Sequence, residues 1–251
     1  MSKIVIIAAM EREVQPLAQG WKRATLAGDA RGFVAFEKEN CIVVICGIGS
    51  KNSEQAARAA VAQYRPATLI SVGLAGALIR SLKAGSLVTP NVVVDAADGA
   101  EYRCNLTGDV LGGGILVSAK EIAGTEAKQK LVERFHGLVV DMEAAGVARV
   151  AQEAQIGFRC IKAISDEMEF VMPPMGRFVD AAGHFQSGKF ALWAAMRPWQ
   201  WGRVVALGRN SAKAIRVLCD RLKKDLAGEV RPKEVVTLNG AEFPDVASER
   251  P

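Results

Sequence analysis

CIVVICGIGSKNSEQAARAAVAQYRPATLISV, residues 41–72, is the stretch on which the fold turns. It opens with Cys41-Ile42-Val43-Val44-Ile45-Cys46, a short, β-branched and wholly apolar run that reads as a strand buried on both faces. Residues 52–64 then place Ala and Val at helical spacing, with Ser50 and Ser53 available as caps and Pro66 just beyond the end. Thr68-Leu69-Ile70-Ser71-Val72 is a second buried strand. The unit is strand, helix, strand.

The same alternation extends in both directions. Upstream, residues 3–9 (Lys-Ile-Val-Ile-Ile-Ala-Ala) form another apolar strand. Downstream the pattern predicts strands over 87–94 and 115–118, a polar helix over 125–135, a strand over 138–140, a helix over 143–154 and a strand over 158–164. Such alternation argues an α/β layered sheet. Gly112-Gly113-Gly114 punctuates it, and no internal repeat is visible. A single domain over 1–228 is expected. Within it, residues 186–226 form a helical region rich in Ala, Trp, Leu and Arg, broken at Arg197-Pro198, where proline ends one helix and starts the next. Residues 229–251, with three prolines and no periodicity, read as a polar tail.

Composition narrows the class. Half of the 251 residues are hydrophobic and 24% are charged, which excludes a disordered, collagenous or coiled-coil chain. No apolar run approaches the ~18–20 residues needed to span a bilayer, and residues 4–10 are too short for a signal-peptide core, so a cytoplasmic location is expected. The five cysteines are scattered without a C-x-x-C pair, so reduced thiols are expected, with neither a disulfide framework nor a zinc site. The net charge of +5 is unevenly placed: residues 186–226 hold nine basic residues against Asp220 and Asp225, leaving the rest slightly acidic. That confinement argues against nucleic acid as a partner.

Familiar signatures fail. Gly47-Ile48-Gly49 lacks the third glycine of a dinucleotide loop, finding Asn52 instead. There is no Walker lysine and no G-x-S-x-G elbow, and only His136 and His184 are present for a triad or a metal site, so no metal is expected. What remains is three carboxylates where α/β enzymes keep their chemistry, at the carboxyl ends of strands: Glu13, Glu143 and Asp166. Each alone fits equally well as an acid in the first turn of a helix, and Ser165-Asp166 fits as a cap. Together they suit cleavage of a glycosidic bond, which needs one carboxyl as acid and another to handle the nucleophile.

The ordered blocks Ile4 to Val14, Gly47-Ile48-Gly49, Gly73-Leu74-Ala75-Gly76-Ala77, Val140-Asp141-Met142-Glu143-Ala144 and Ala163-Ile164-Ser165-Asp166 resemble the purine nucleoside phosphorylase and nucleosidase superfamily, in particular the 5′-methylthioadenosine/S-adenosylhomocysteine nucleosidases. Further along, Ser165-Asp166-Glu167-Met168, the Pro173-Pro174 turn, residues 192–198 and Asn210-Ser211 look like the hopanoid-associated phosphorylase branch. The resemblance implies a three-layer α-β-α sandwich around a mixed sheet. It implies an enzyme that releases adenine from a nucleoside with a bulky hydrophobic 5′ substituent such as adenosylhopane, needing no cofactor beyond inorganic phosphate if the route is phosphorolysis. A homo-oligomer is implied as well.

Carried over motif by motif, Asp166 is the general acid toward the purine, with an apolar setting that keeps its carboxyl protonated. Glu143 accepts the ribose hydroxyls and Met142 lies against the sugar. Gly73, Leu74, Ala75, Ser165 and Ile122 complete the substrate site. Glu13 matches the residue that activates water in nucleosidases. For phosphate, Gly47, Gly49 and Ser50 offer an amide nest and Arg12 a counter-charge. Leu74 departs from the family's Ser or Thr, and Ser71 stands where some phosphorylases carry an arginine. Water and phosphate both stay open as acceptors, and a non-catalytic nucleoside or nucleoside-lipid binder is the competing function. Trp193, Trp199 and Trp201 beside Arg197, Arg203 and Arg209 suit either a helix at a membrane surface or a helix packed on the sheet with a solvated basic face.

Overall fold

The computed structural model describes residues 2–27, 32–105, 113–180 and 182–228. The polar tail expected over 229–251 lies outside the described residues, as does Gly112 of the glycine triplet.

The three apolar runs are β1 (Ile4–Ala8), β4 (Cys41–Ile45) and β5 (Thr68–Ala77), parallel and side by side with β1 in the middle. They are apolar throughout because both faces are covered. In β1, Val5 and Ile7 enter a core beneath α2 (Ser50–Tyr64) and α4 (Ala144–Glu153), whereas Ile6 and Ala8 enter a second core beneath α1 (Glu11–Ala18) and α6 (Trp201–Leu226). The architecture is the expected three-layer α-β-α sandwich.

Beyond β4, β3 (Phe33–Lys38) and β2 (Lys22–Leu26) extend the sheet as an antiparallel pair. On the other side β5 is shared. It runs parallel to β11 (Gly157–Asp166), while Gly76 and Ala77 pair antiparallel with β10 (Val139–Asp141). Next to β10 come β9 (Ile115–Ser118), β7 (Val92–Asp95) and β8 (Glu101–Arg103), and β6 (Leu87–Val88) pairs antiparallel with β11. The sheet is mixed. The register of β11 against β5 shifts between Ile164 and Asp166, an irregularity that re-aims the last side chains of the strand.

The expected strand over 87–94 is two strands, β6 and β7, because Pro90 has no amide to continue a ladder. The helix over 125–135 is α3 (Thr125–Phe135), and the proline break separates α5 (Ser187–Ala195) from a 3₁₀ turn (Pro198–Gln200) and α6. α6 lies against β11 and α1, buries Ala214, Leu218 and Leu222, and is tied down by the Cys219 thiol donating to the Glu13 carbonyl at 3.3 Å and by an Arg159–Asp225 ion pair at 2.9 Å. Its second half is therefore a packed helix with a solvated basic face. Among the described residues no helix is long and apolar enough to cross a membrane.

Two contacts position the site. α2 and α4 cross at Gly146, where a Cβ would lie 2.3 Å from the Ser50 carbonyl oxygen, so only glycine permits the approach. The start of α4 is fixed by Asp141, which accepts from the Ala144 amide at 2.9 Å and the Ser118 hydroxyl at 2.6 Å.

Candidate active site

A cavity of about 530 Å³ opens at the carboxyl ends of β1, β5, β10 and β11. Ends of parallel strands leave backbone and loops free to carry chemistry, and here they bring together Arg12, Glu13, Leu74, Ala75, Ile122, Met142, Glu143, Ser165 and Asp166, separated by up to 154 positions in the chain. Gly73 stands behind this wall. Its φ is +144°, and a Cβ there would meet the Glu13 carboxylate oxygen at 3.2 Å, so the missing side chain makes room for that carboxylate. Gly47, Gly49 and Ser50 do not line the cavity, and Gly47 faces an adjoining cleft with Lys51, Asn52 and His184. Ser71 is fully buried within β5.

Glu13 sits in the first turn of α1, as an acid there should, and its carboxylate accepts from the Met10 amide at 3.1 Å. The same carboxylate lines the cavity. Burial pushes its pKa above the ordinary value, and the Met10 amide and the Lys162 ammonium offset only part of that.

Glu143 precedes α4. Its Oε1 accepts from the Gly49 amide at 2.9 Å and its Oε2 from the Met142 amide at 3.3 Å. Burial, followed by the negative charge of Asp141, pushes its pKa up to about 7. Gly49 thus gives its amide to Glu143, while the Gly47 amide goes to the Ala9 carbonyl at 3.0 Å and the Ile48 amide to the Gly183 carbonyl at 2.9 Å. These three amides of the loop are engaged within the protein.

Asp166 ends β11 and no helix begins there, which removes the capping alternative. Its surroundings differ from the apolar setting expected from the sequence. Lys128 Nζ lies 2.5 Å from Oδ2, with the two side chains only 1% and 6% exposed, and the Ser165 hydroxyl donates to Oδ1 at 2.8 Å. Lys128 also donates to the Glu167 carbonyl at 2.9 Å. Gly76 completes the nook, since a Cβ there would stand 2.8 Å from Asp166 Oδ2 and 3.1 Å from Lys128 Cε.

Sequence reasoning missed Lys128 and a second buried lysine. Lys162 lies 2.8 Å from Asp141, with both side chains shut off from solvent. Burial acts to lower its pKa, but Asp141, Cys160 and Glu143 together outweigh this and raise it, which keeps the ammonium charged. Both lysines had a signal. Lys128 falls on the inward stripe of α3 with the partly buried Leu131, Val132 and Phe135, and Lys162 interrupts the apolar run of β11. A charge in such a place is buried only if it has a partner.

The outer wall was also absent from the sequence reading. Met172, Met175, Val179 and Phe190 close one side, and Val204, Leu207, Gly208, Ser211, Ala212 and Ile215 of α6 close another. Among the described residues no group of three or more His, Cys, Asp or Glu is placed to hold a metal ion.

Several known proteins are similar to this chain. A 5′-methylthioadenosine/S-adenosylhomocysteine nucleosidase of Staphylococcus aureus is 27% identical over 200 residues, covering 65% of this chain and 86% of that protein. The crystal structure of the nucleosidase of the same name from Helicobacter pylori, complexed with a substituted pyrrolidin-3-ol, superposes with a TM-score of 0.67 at 18% identity, over 90% of this chain and 98% of that one. Futalosine hydrolase from Helicobacter pylori superposes with a TM-score of 0.65 at 18% identity over the same shares, so the two structures share the fold. The phosphorylase superfamily model matches residues 3–112 and 110–184, well over half of the sequence and a range within which all three carboxylates fall, and the chain belongs to that superfamily.

Proposed function

We propose that the protein cleaves the N-glycosidic bond of a purine nucleoside, releasing adenine. The observation that carries this reading is the convergence of Glu13, Glu143 and Asp166 on one cavity from three different strand ends. In the proposed step the bond between the sugar C1′ and the purine nitrogen breaks with its electron pair leaving on the base. Asp166, which faces the Lys128 ammonium at 2.5 Å, carries a proton in the reacting complex and delivers it to the imidazole ring of the purine, so the base departs neutral. Lys128 then faces the carboxylate that remains. Glu143 accepts hydrogen bonds from the ribose hydroxyls, and its negative charge stabilises the positive charge that grows on the sugar. Glu13 takes a proton from the water that attacks C1′.

Water is favoured over phosphate as acceptor because the amides of Gly47, Ile48 and Gly49 already have acceptors within the chain, leaving Arg12 as the nearest anion-binding group. The apolar wall from the methionines to α6 supports a hydrophobic 5′ substituent, with adenosylhopane as the candidate that the resemblance suggests. A cytoplasmic homo-oligomer without a bound cofactor belongs to the same proposal.

The test is chromatographic detection of free adenine from adenosine and 5′-alkyl adenosines, in phosphate-free and phosphate buffer. Release in both buffers is the expected outcome, and strict dependence on phosphate would replace water as acceptor. Asp166→Asn should lower the rate by at least ~100-fold while the protein stays folded by circular dichroism. Tight nucleoside binding with no release from any substrate would establish a binding protein instead.

A further inference from the structure

Six large hydrophobic side chains are more exposed than the rest among the described residues, and all lie between Val171 and Val205. Five lie on three consecutive elements, α5, the 3₁₀ turn and the start of α6: Trp199 at 72% exposure, Leu192 at 64%, Met196 at 61%, Val205 at 58% and Trp201 at 53%. Exposed apolar side chains concentrated in one short segment point to an interaction site. The surface is held rigidly. The Trp201 indole donates to the Ala194 carbonyl at 2.9 Å, and Trp193 stacks on Phe190, which in turn packs edge-on against Phe178. The side chains are therefore presented outward by an aromatic scaffold rather than left free to fold back.

The electrostatics say what covers it. Lys189, Arg203 and Arg209 are exposed around the cluster, Arg197 lies across the Trp193 ring at 4.9 Å, and the sequence has no acidic residue between Asp180 and Asp220. A second copy docking on this face about a twofold axis would set these cations against themselves. Nucleic acid recognition would rest on cations, whereas exposed tryptophans and aliphatic side chains are interspersed with them here. Exposed apolar side chains, indoles among them, interspersed with cations suit a bilayer whose headgroups carry negative charge.

The cavity reaches the same surface. Val204 and Gly208, which line it, follow Trp201 and Val205 by three residues each on α6, so one helix carries the apolar surface directly into the cavity wall. We propose that the face of Leu192, Met196, Trp199, Trp201 and Val205 docks on an anionic phospholipid membrane, placing the mouth of the cavity at headgroup level. This inference stands independently of which reaction the cavity supports.

The experiment is co-sedimentation of the full-length protein with phosphatidylcholine vesicles and with vesicles of phosphatidylcholine mixed with phosphatidylglycerol, paired with light scattering of the protein alone. Binding to the mixed vesicles should exceed binding to phosphatidylcholine by at least about tenfold and should weaken with added salt. Leu192→Ser with Trp199→Ser, neither of which lines the cavity, should abolish sedimentation while leaving the circular dichroism spectrum unchanged. Equal binding by this variant, or no binding by the wild type to either vesicle, would overturn the proposal. So would a dimer in solution that the double substitution converts to monomer, because the face would then belong to a contact between copies.

Discussion

At the scale of single residues, the site is built from carboxylates whose charge is controlled by what surrounds them. Glu143 is the most exposed to test by pH. Its carboxyl is raised to about 7 by burial and by Asp141, against an ordinary value of 4.5. Because the folded protein keeps a proton that the unfolded chain has lost, this group makes stability fall as pH rises from 4.5 to about 7, by up to about 3 kcal/mol, and Glu13 acts in the same direction. Urea denaturation at pH 5.5 and pH 8 should show the loss, and Glu143→Gln should flatten it. Function should follow the opposite slope. The ionised carboxylate is the form that accepts ribose hydroxyls, so kcat/KM should rise with pH to a plateau above about 7, and that limb should vanish in Glu143→Gln. Lys128 makes a separate prediction. Lys128→Met leaves Asp166 buried beside a methyl group, and breaking a buried pair from one side costs about 3–5 kcal/mol. Thermal denaturation should register that loss, and kcat should drop more than KM changes, since the partner it abandons is the proposed acid.

At the scale of elements, what was legible in the sequence follows from burial. β1, β4 and β5 announce themselves because both faces are covered and every residue is apolar, and α2 does so through its alanines. β2 escaped because it lies at the sheet edge, where Lys22-Arg23-Ala24-Thr25 stays largely in solvent and shows no apolar run, whereas β3 was missed although Phe33-Val34-Ala35-Phe36 is apolar. β8 is only three residues long, with Tyr102 its one buried side chain. The carboxylates were readable because each stands at the end of a strand or within a few residues after it. Their partners were not, because the contact of Lys128 with Asp166 depends on how α3 is laid over the end of β11, which no local pattern encodes. Helix packing also carries the site. Gly146 lets α4 approach α2, and α2 begins just after the loop whose Gly49 amide holds Glu143. In Gly146→Ala the Cβ meets a backbone oxygen that cannot turn aside, so the helices must part. A loss of about 1–3 kcal/mol is expected by denaturant titration, accompanied by a higher KM for the nucleoside as Glu143 loses its donor.

At the scale of the whole molecule, the family model ends at residue 184, yet the cavity is not closed until α5 and α6 are added. The region the family model matches holds the three carboxylates and Met172, Met175 and Val179, and the segment beyond it supplies the rest of the apolar wall, from Phe190 to Ile215. On the proposed reading, chemistry and selectivity can then be tested separately. If the wall receives the 5′ substituent, each methylene it takes out of water contributes about 0.8 kcal/mol, or roughly a fourfold gain in kcat/KM per carbon. Along a series of 5′-alkyl adenosines, log kcat/KM should therefore climb with chain length until the alkyl group fills the space beside Val204 and Leu207. Val204→Asp places a carboxylate on that wall and should flatten the climb, because each added methylene then meets a charge that must keep its water. Asp166→Asn should instead lower every member of the series by the same factor, since the bond broken is the same in each. A chain-length dependence that is flat in the wild type would remove the hydrophobic substituent from the proposed substrate and leave the cleavage chemistry untouched.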